Sequence, residues 1–171
     1  MIKRRFQKDD AASEAVYSDC ETYRYALTRV WDEQKPRLLY IMLNPSKATE
    51  QQNDPTIERC ERRARALGFG AFCAVNIFAL RETDPHQMRR HPAPEGADNA
   101  AEILRACQWA DHIVAAWGVH GAHLGQGPRT KDFIHYAGFQ LHHFGLTKGG
   151  HPRHPLYVPY AQKPELWPQE G

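Results

Sequence analysis

The chain has 171 residues, 42% of them hydrophobic and 25% charged, with a formal charge of +2. That length supports one domain with a real core and is short for two. The near-neutral balance excludes neither nucleic acid nor a small anion as a partner, and ten histidines would raise the charge in mild acid.

No run approaches the roughly 18 apolar residues needed to cross a bilayer, and MIKRRFQKDD lacks the apolar centre of a secretory signal. A cytoplasmic protein without membrane contact is expected. Cys20, Cys60, Cys73 and Cys107 are scattered with no C-x-x-C pair, which reads as reduced, buried thiols rather than a zinc ribbon or an iron–sulfur cluster.

In chain order, residues 1–36 contain TYRYALTRVW, an edge strand or hairpin arm, ahead of a core over 37–159. RLLYIML is a nearly continuous apolar run that stops at Asn44-Pro45, as a buried parallel strand does. DPTIERCERRARALGFG reads as a helix: Asp54 is placed to cap it, Pro55 suits the first helical position, and Gly68 and Gly70 close it. AFCAVNIF is a second strand, followed by a proline-rich loop and a helix from about Asp98 to Trp109. DHIVAAWG is a third strand, RTKDFIHYAG a short helix, and FQLHHFGL a fourth strand. This alternation predicts an α/β/α sandwich, three layers around a four-stranded, mainly parallel sheet, in one domain.

Ligands of open α/β sheets bind at the carboxyl ends of the strands. Here Asn44-Pro45-Ser46, Asn76, Trp117-Gly118 and the segment from Gly150 to Leu156 all follow strand ends, so four loops converge on one edge. Asn76 interrupts an apolar strand, and a buried amide without partners costs about 1–3 kcal/mol. It either ties down a neighbouring loop or faces a ligand. Trp117 ends an apolar strand and reads as core packing, with base stacking as the alternative. Arg59, Arg62, Arg63 and Arg65 make α-helical basic spacing that suits a solvated face or a DNA-backbone face equally. His151 and His154 lack a third ligand at zinc spacing, so no metal or other cofactor is expected. A phosphate-cradling G-x-x-x-x-G-K-[ST] loop and a G-x-S-x-G elbow are both missing.

The set MLNPS, DPTIERC, VNIFALR, AAWG and GHPRHPLY closely resembles an uncharacterised bacterial domain family over nearly the whole chain. More distantly, the order N-P, strand-end asparagine, W-G and H-P-x-P-L resembles the uracil-DNA glycosylase superfamily. That resemblance implies a glycosylase sandwich fold and a monomeric DNA glycosylase that flips and excises a damaged, deaminated or modified base, modified cytosines of phage DNA among them.

It implies that Asn44 positions the attacking water, with Asp54 as a second candidate if it is not simply the helix cap. Asn76 would read the base, together with Ser46, Trp117 and Gly118. His151 or His154 would stabilise the departing base, the one-residue insertion in GGHPRHPLY leaving both registers open. Arg153, Leu156, Lys47 and Arg62 would contact DNA, with Arg153, beside Leu156, gripping phosphate or filling the gap left by an extruded base. Lys47 and Thr49 stand where the superfamily places a base-stacking aromatic. Two further readings are a non-catalytic sensor of nucleic acid or nucleotides and a hydrolase of free nucleosides or nucleotides.

Overall fold

A computed structural model of the chain describes residues 1–170. Three antiparallel strands come first: β1 (Ile2–Lys8), β2 (Ala11–Tyr17) and β3 (Arg24–Val30). Then follow β4 (Arg37–Met42), α1 (Pro55–Ala66), β5 (Ala71–Asn76), α2 (Pro85–Arg90), α3 (Asn99–Trp109), β6 (His112–Ala115), α4 (Gln126–Tyr136), β7 (Leu141–His143) and β8 (Glu165–Trp167). The described strands form one mixed sheet in the order β1-β2-β3-β5-β4-β6-β7-β8.

This overturns the expected four-stranded, mainly parallel glycosylase-type sandwich. The four apolar runs do pair in parallel as β5-β4-β6-β7, but they are the centre of an eight-stranded sheet with antiparallel additions at both sides. β3 is not an edge strand, because it lies between β2 and β5 and is antiparallel to both. The physical reason is visible in β1, IKRRFQK, whose central five residues are all exposed. An outer strand that buries almost nothing carries no apolar alternation to announce it.

The central runs are apolar throughout because both faces of the sheet are covered. Leu38, Tyr40, Phe72, Ala74 and Val114 pack with Ile57, Cys60 and Ala64 of α1. On the opposite face Leu39, Ile41, Cys73, Val75 and Ala115 pack with Ile103 and Cys107 of α3 and Ile134 of α4. Three thiols are buried as expected, but Cys20 is exposed in the β2–β3 turn, where hydrogen bonding from Ser18 and then Thr22 lowers its thiol to about 7. Among the described residues no helix is long and apolar enough to cross a membrane.

Asp54 caps α1, its Oδ1 accepting from the Ile57 amide at 2.9 Å, and Pro55 opens the helix. The proline-rich loop after β5 contains a turn and a half of helix, α2, capped in the same way by Asp84. Both begin with Asx-Pro, which satisfies one orphan amide and removes another.

Candidate functional site at the carboxyl edge of the parallel strands

The β4–β5 pairing is in register from Arg37↔Ala71 to Met42↔Asn76. The ladder continues past the strand ends, with Ile77 N donating to Met42 O at 2.9 Å and Phe78 N to Leu43 O at 3.0 Å. Asn44 and Asn76 are thereby fixed at one edge. Beside them, Gly118 N donates to Pro152 O at 2.8 Å, which ties the end of β6 to the last loop. That loop is folded on itself, Thr147 N donating to His151 O at 2.8 Å and Arg153 N to Gly145 O at 3.0 Å. Gly118 has φ +71, a backbone conformation that favours glycine, and packs beside the His154 Cβ.

Asn76 is 1% exposed, and neither its Nδ2 nor its Oδ1 has a partner among the described residues. Strand alternation puts this side chain on the same sheet face as Phe72 and Ala74, the face covered by α1. Its backbone is held by two other buried amides. Asn99 Nδ2 donates to Asn76 O at 2.7 Å and to Ile77 O at 3.3 Å, and Gln126 Nε2 donates to Ile77 O at 3.2 Å. The main chain is therefore pinned while one amide donor and one amide acceptor are left unpaired, at about 1–3 kcal/mol each.

Asn44 spends its amide nitrogen on three carbonyls, Pro45 at 3.2 Å, Leu80 at 3.3 Å and Glu82 at 2.6 Å. Its Oδ1 accepts no hydrogen bond from the described residues. Ser46 shares a hydroxyl–hydroxyl contact of 2.9 Å with Thr83, and Lys47 is exposed. Asp54 is committed through both oxygens, Oδ2 accepting from Ala48 N at 3.2 Å in addition to the cap.

The two histidines differ. His154 Nδ1 accepts from Leu156 N at 3.3 Å, so its neutral ring carries the proton on Nε2 as a donor. Burial drives its pKa down to about 4, against a smaller opposing pull from Asp54. His151 is half-buried and engaged through its backbone, its amide donating to Thr147 Oγ1 at 3.2 Å and its carbonyl accepting from Thr147 N.

Arg153 is exposed, its stem lying over Gly145, and Leu156 and Tyr157 project beside it with 38% and 77% exposure. Two of the four arginines of α1 are turned inward. Arg59 donates to Pro155 O and Val158 O, and Arg63, fully buried, to Val158 O and Pro159 O, both at 2.8 Å. Arg65 grips Asp10 with two nitrogens, and exposed Arg62 pairs with Glu58 at 2.8 Å. Trp117 is 2% exposed, packs on Trp167 at 5.9 Å, and is so closely backed that a Cβ on Gly121 or Gly127 would strike its indole. It is core and not part of the open edge. Among the described residues no three histidine, cysteine, aspartate or glutamate side chains are grouped to hold a metal ion.

Residues that the sequence did not single out are Arg24, Arg29, Asn99, Gln126 and Arg81. Arg63 carried a usable signal: it stands three residues after Cys60 and six after Ile57, on the apolar stripe of α1, where a solvated arginine has no place.

Two outcomes follow from this geometry. Replacing Asn76 by leucine removes two unpaired polar atoms from the interior, so the variant should melt higher, by roughly 2–8 °C for a chain of this size; an amide whose bonds hold the fold would melt lower. His154 has a folded pKa of about 4 against an ordinary 6.5, so between those values the unfolded chain binds a proton that the folded one refuses. Its contribution is complete above 6.5 and declines as pH falls towards 4. Urea midpoints compared between wild type and His154→Gln should converge over that window, and parallel curves would contradict it.

No curated protein and no solved structure matches the chain. A family profile described as a protein of unknown function, DUF1643, matches residues 24–156, from the first residue of β3 to Leu156. That span holds Asn44, Asn76, Gly118 and His154 and leaves β1, β2 and β8 outside, and on it the chain belongs to the DUF1643 family.

Proposed function

We propose that the protein is a cytoplasmic DNA glycosylase, acting as a monomer, that hydrolyses the N-glycosidic bond of an extruded atypical base and leaves an abasic site. The reading rests on site chemistry and on the motif order shared with the uracil-DNA glycosylase superfamily, and not on the overall fold. The observation that carries it is Asn76: an unpaired side chain on a pinned backbone, offering one donor and one acceptor, matches the paired oxygen and N–H edge of a nucleobase. At 1% exposure it meets a base only when its cover is displaced, so binding is coupled to opening of the edge.

In this reaction a water oxygen bonds to the sugar C1′, the C1′–N bond breaks, and its electron pair leaves with the base. The water's second proton passes to solvent or to the released base. Asn44 Oδ1 accepts from the water, its orientation set by the three carbonyls that hold Nδ2. His154, neutral and presenting Nε2–H, stabilises the negative charge that develops on the base, which fills the position left open between the two histidines. Asp54 adds a negative charge near the cationic sugar without leaving its cap. Arg153, with Leu156 and Tyr157 beside it, meets the DNA.

One observation favours a second reading, a sensor that binds the base without cleaving it: both oxygens of Asp54 are held by backbone amides, and no free carboxylate is assigned to the water.

The test is a panel of oligonucleotides containing uracil, hypoxanthine, alkylated bases and hydroxymethylated or glucosylated cytosine, scored for released base and alkali-labile sites. Asn44→Ala should slow release and spare binding, because a misplaced water affects the transition state more than the complex. His154→Ala should cost about a hundredfold and His151→Ala far less. Tight, base-selective binding with no release leaves the sensor; neither binding nor release sinks both readings.

A further inference from the structure

The loops that follow β4 and β5 face one another across an open cleft of about 480 Å³. Ser46 and Lys47 come from the first loop, Arg81 and Thr83 from the second, with Glu21 and Thr22 of the β2–β3 turn alongside. The cleft is built rather than incidental. Asn44 Nδ2 reaches the carbonyls on either side of Arg81, Glu82 N donates back to Pro45 O at 2.9 Å, and the Ser46 and Thr83 hydroxyls meet at 2.9 Å.

Its charges are unequally committed. Glu21 is ion-paired with Arg4, and Glu82 Oε1 accepts from the Asp84 amide at 3.2 Å. Lys47 has no ion pair among the described residues. Arg81 donates NH1 to the Glu21 carbonyl at 3.1 Å and stacks 5.0 Å over Tyr17, with no carboxylate at ion-pair distance. Two cations without a carboxylate partner, beside a pair of hydroxyls at the carboxyl edge of the strands, suit a multivalent oxyanion.

We propose that this cleft binds a phosphate group of the substrate, contributed by the polynucleotide backbone or by a free nucleotide. The inference rests on the nucleobase reading above, since Asn44 joins the loop of Lys47 to the edge that holds Asn76. In it Lys47 and Arg81 supply the charge, the Ser46–Thr83 hydroxyl pair supplies one neutral donor, and Asn44 positions the two loops.

The experiment measures binding of a short single-stranded DNA, deoxyuridine monophosphate, deoxyuridine and inorganic phosphate to wild type, Lys47→Ala, Arg81→Lys and the Lys47→Ala/Arg81→Gln double variant. Thermal melts establish that each variant is folded. Lys47→Ala should weaken the oligonucleotide several-fold at low salt and reduce the slope of log Kd against log salt by about one. Arg81→Lys, which keeps the charge, should bind more tightly than the double variant.

If the phosphate is a backbone one, the monophosphate binds no better than the nucleoside. If it is a free nucleotide's, the monophosphate binds about tenfold more tightly than the nucleoside and loses that margin in Lys47→Ala, as loss of one charge-assisted contact predicts. Unchanged affinity of the folded double variant for every phosphate-bearing probe, or no binding of any such probe to wild type, overturns the inference. Asn76→Ala separates it from the base reading: phosphate-dependent binding with no base preference in either protein discards the base reader and keeps the cleft. Base-selective release unaffected by the double variant does the reverse.

Discussion

Three arginines are among the largest fully buried side chains of the protein, and each spends its guanidinium on backbone carbonyls of an irregular segment. Arg24 donates to Ala48 O at 2.9 Å, and Arg29 to Thr49 O at 2.9 Å and to Asn53 Oδ1 at 3.0 Å. Arg63, supported by Arg59, holds Val158 and Pro159. The Ala48, Thr49 and Val158 carbonyls have no backbone partner among the described residues, and charge-assisted bonds of about 1.5–3 kcal/mol each offset part of the cost of burying the cations, whose Nε atoms stay unpaired. Burial lowers the pKa of Arg24 to about 10, which still leaves it charged near neutrality. The segments held this way, 48–53 and 155–159, are the ones that end next to Asp54 and His154.

The antiparallel addition to the sheet is therefore part of the site's construction. Arg24 and Arg29 stand on β3, and Ser13 of β2 accepts from Arg29 at 2.9 Å while donating to Glu50 O at 2.6 Å. Tyr17 of β2 donates to Glu50 Oε2 at 2.8 Å. β2 and β3 thus reach across the α1 face and fasten the loop that carries Asn44 to Asp54. A four-stranded sheet would leave that loop without these anchors. On the opposite face Asn99 and Gln126 fix the carbonyls at 76 and 77, so the Asn76 backbone is held from one side and its side chain is offered to the other.

What could be read from the sequence follows how burial writes itself into a pattern. β4, β5 and β6 were legible because strands covered on both faces become continuous apolar runs, and α1 because Asp54-Pro55 and Gly68 punctuate it. α2 was hidden in a proline-rich stretch whose first Asp-Pro is in fact a helix start. β1 and β2 were not legible, the one exposed along its centre and the other made of small and polar residues up to Val16-Tyr17. Asn76 stood out as an amide inside an apolar run, and its lack of partners is what the structure adds. The arginines of α1 illustrate the limit: spacing along a helix shows a basic cluster, but only the tertiary path of residues 155–160 reveals that two of the four cations are turned inward onto carbonyls.

Base recognition at this edge requires the Asn76 amide to be unpaired in the free protein and paired by a ligand. The direct measurement is the side-chain amide resonance of Asn76, assigned by its loss in Asn76→Leu, followed while free nucleobases are added. The Nδ2 protons should have the shifts of a weakly bonded amide and move downfield with at least one base and not with ribose or phosphate alone. Downfield, exchange-protected Nδ2 protons in the free protein, unmoved by any base, would contradict it.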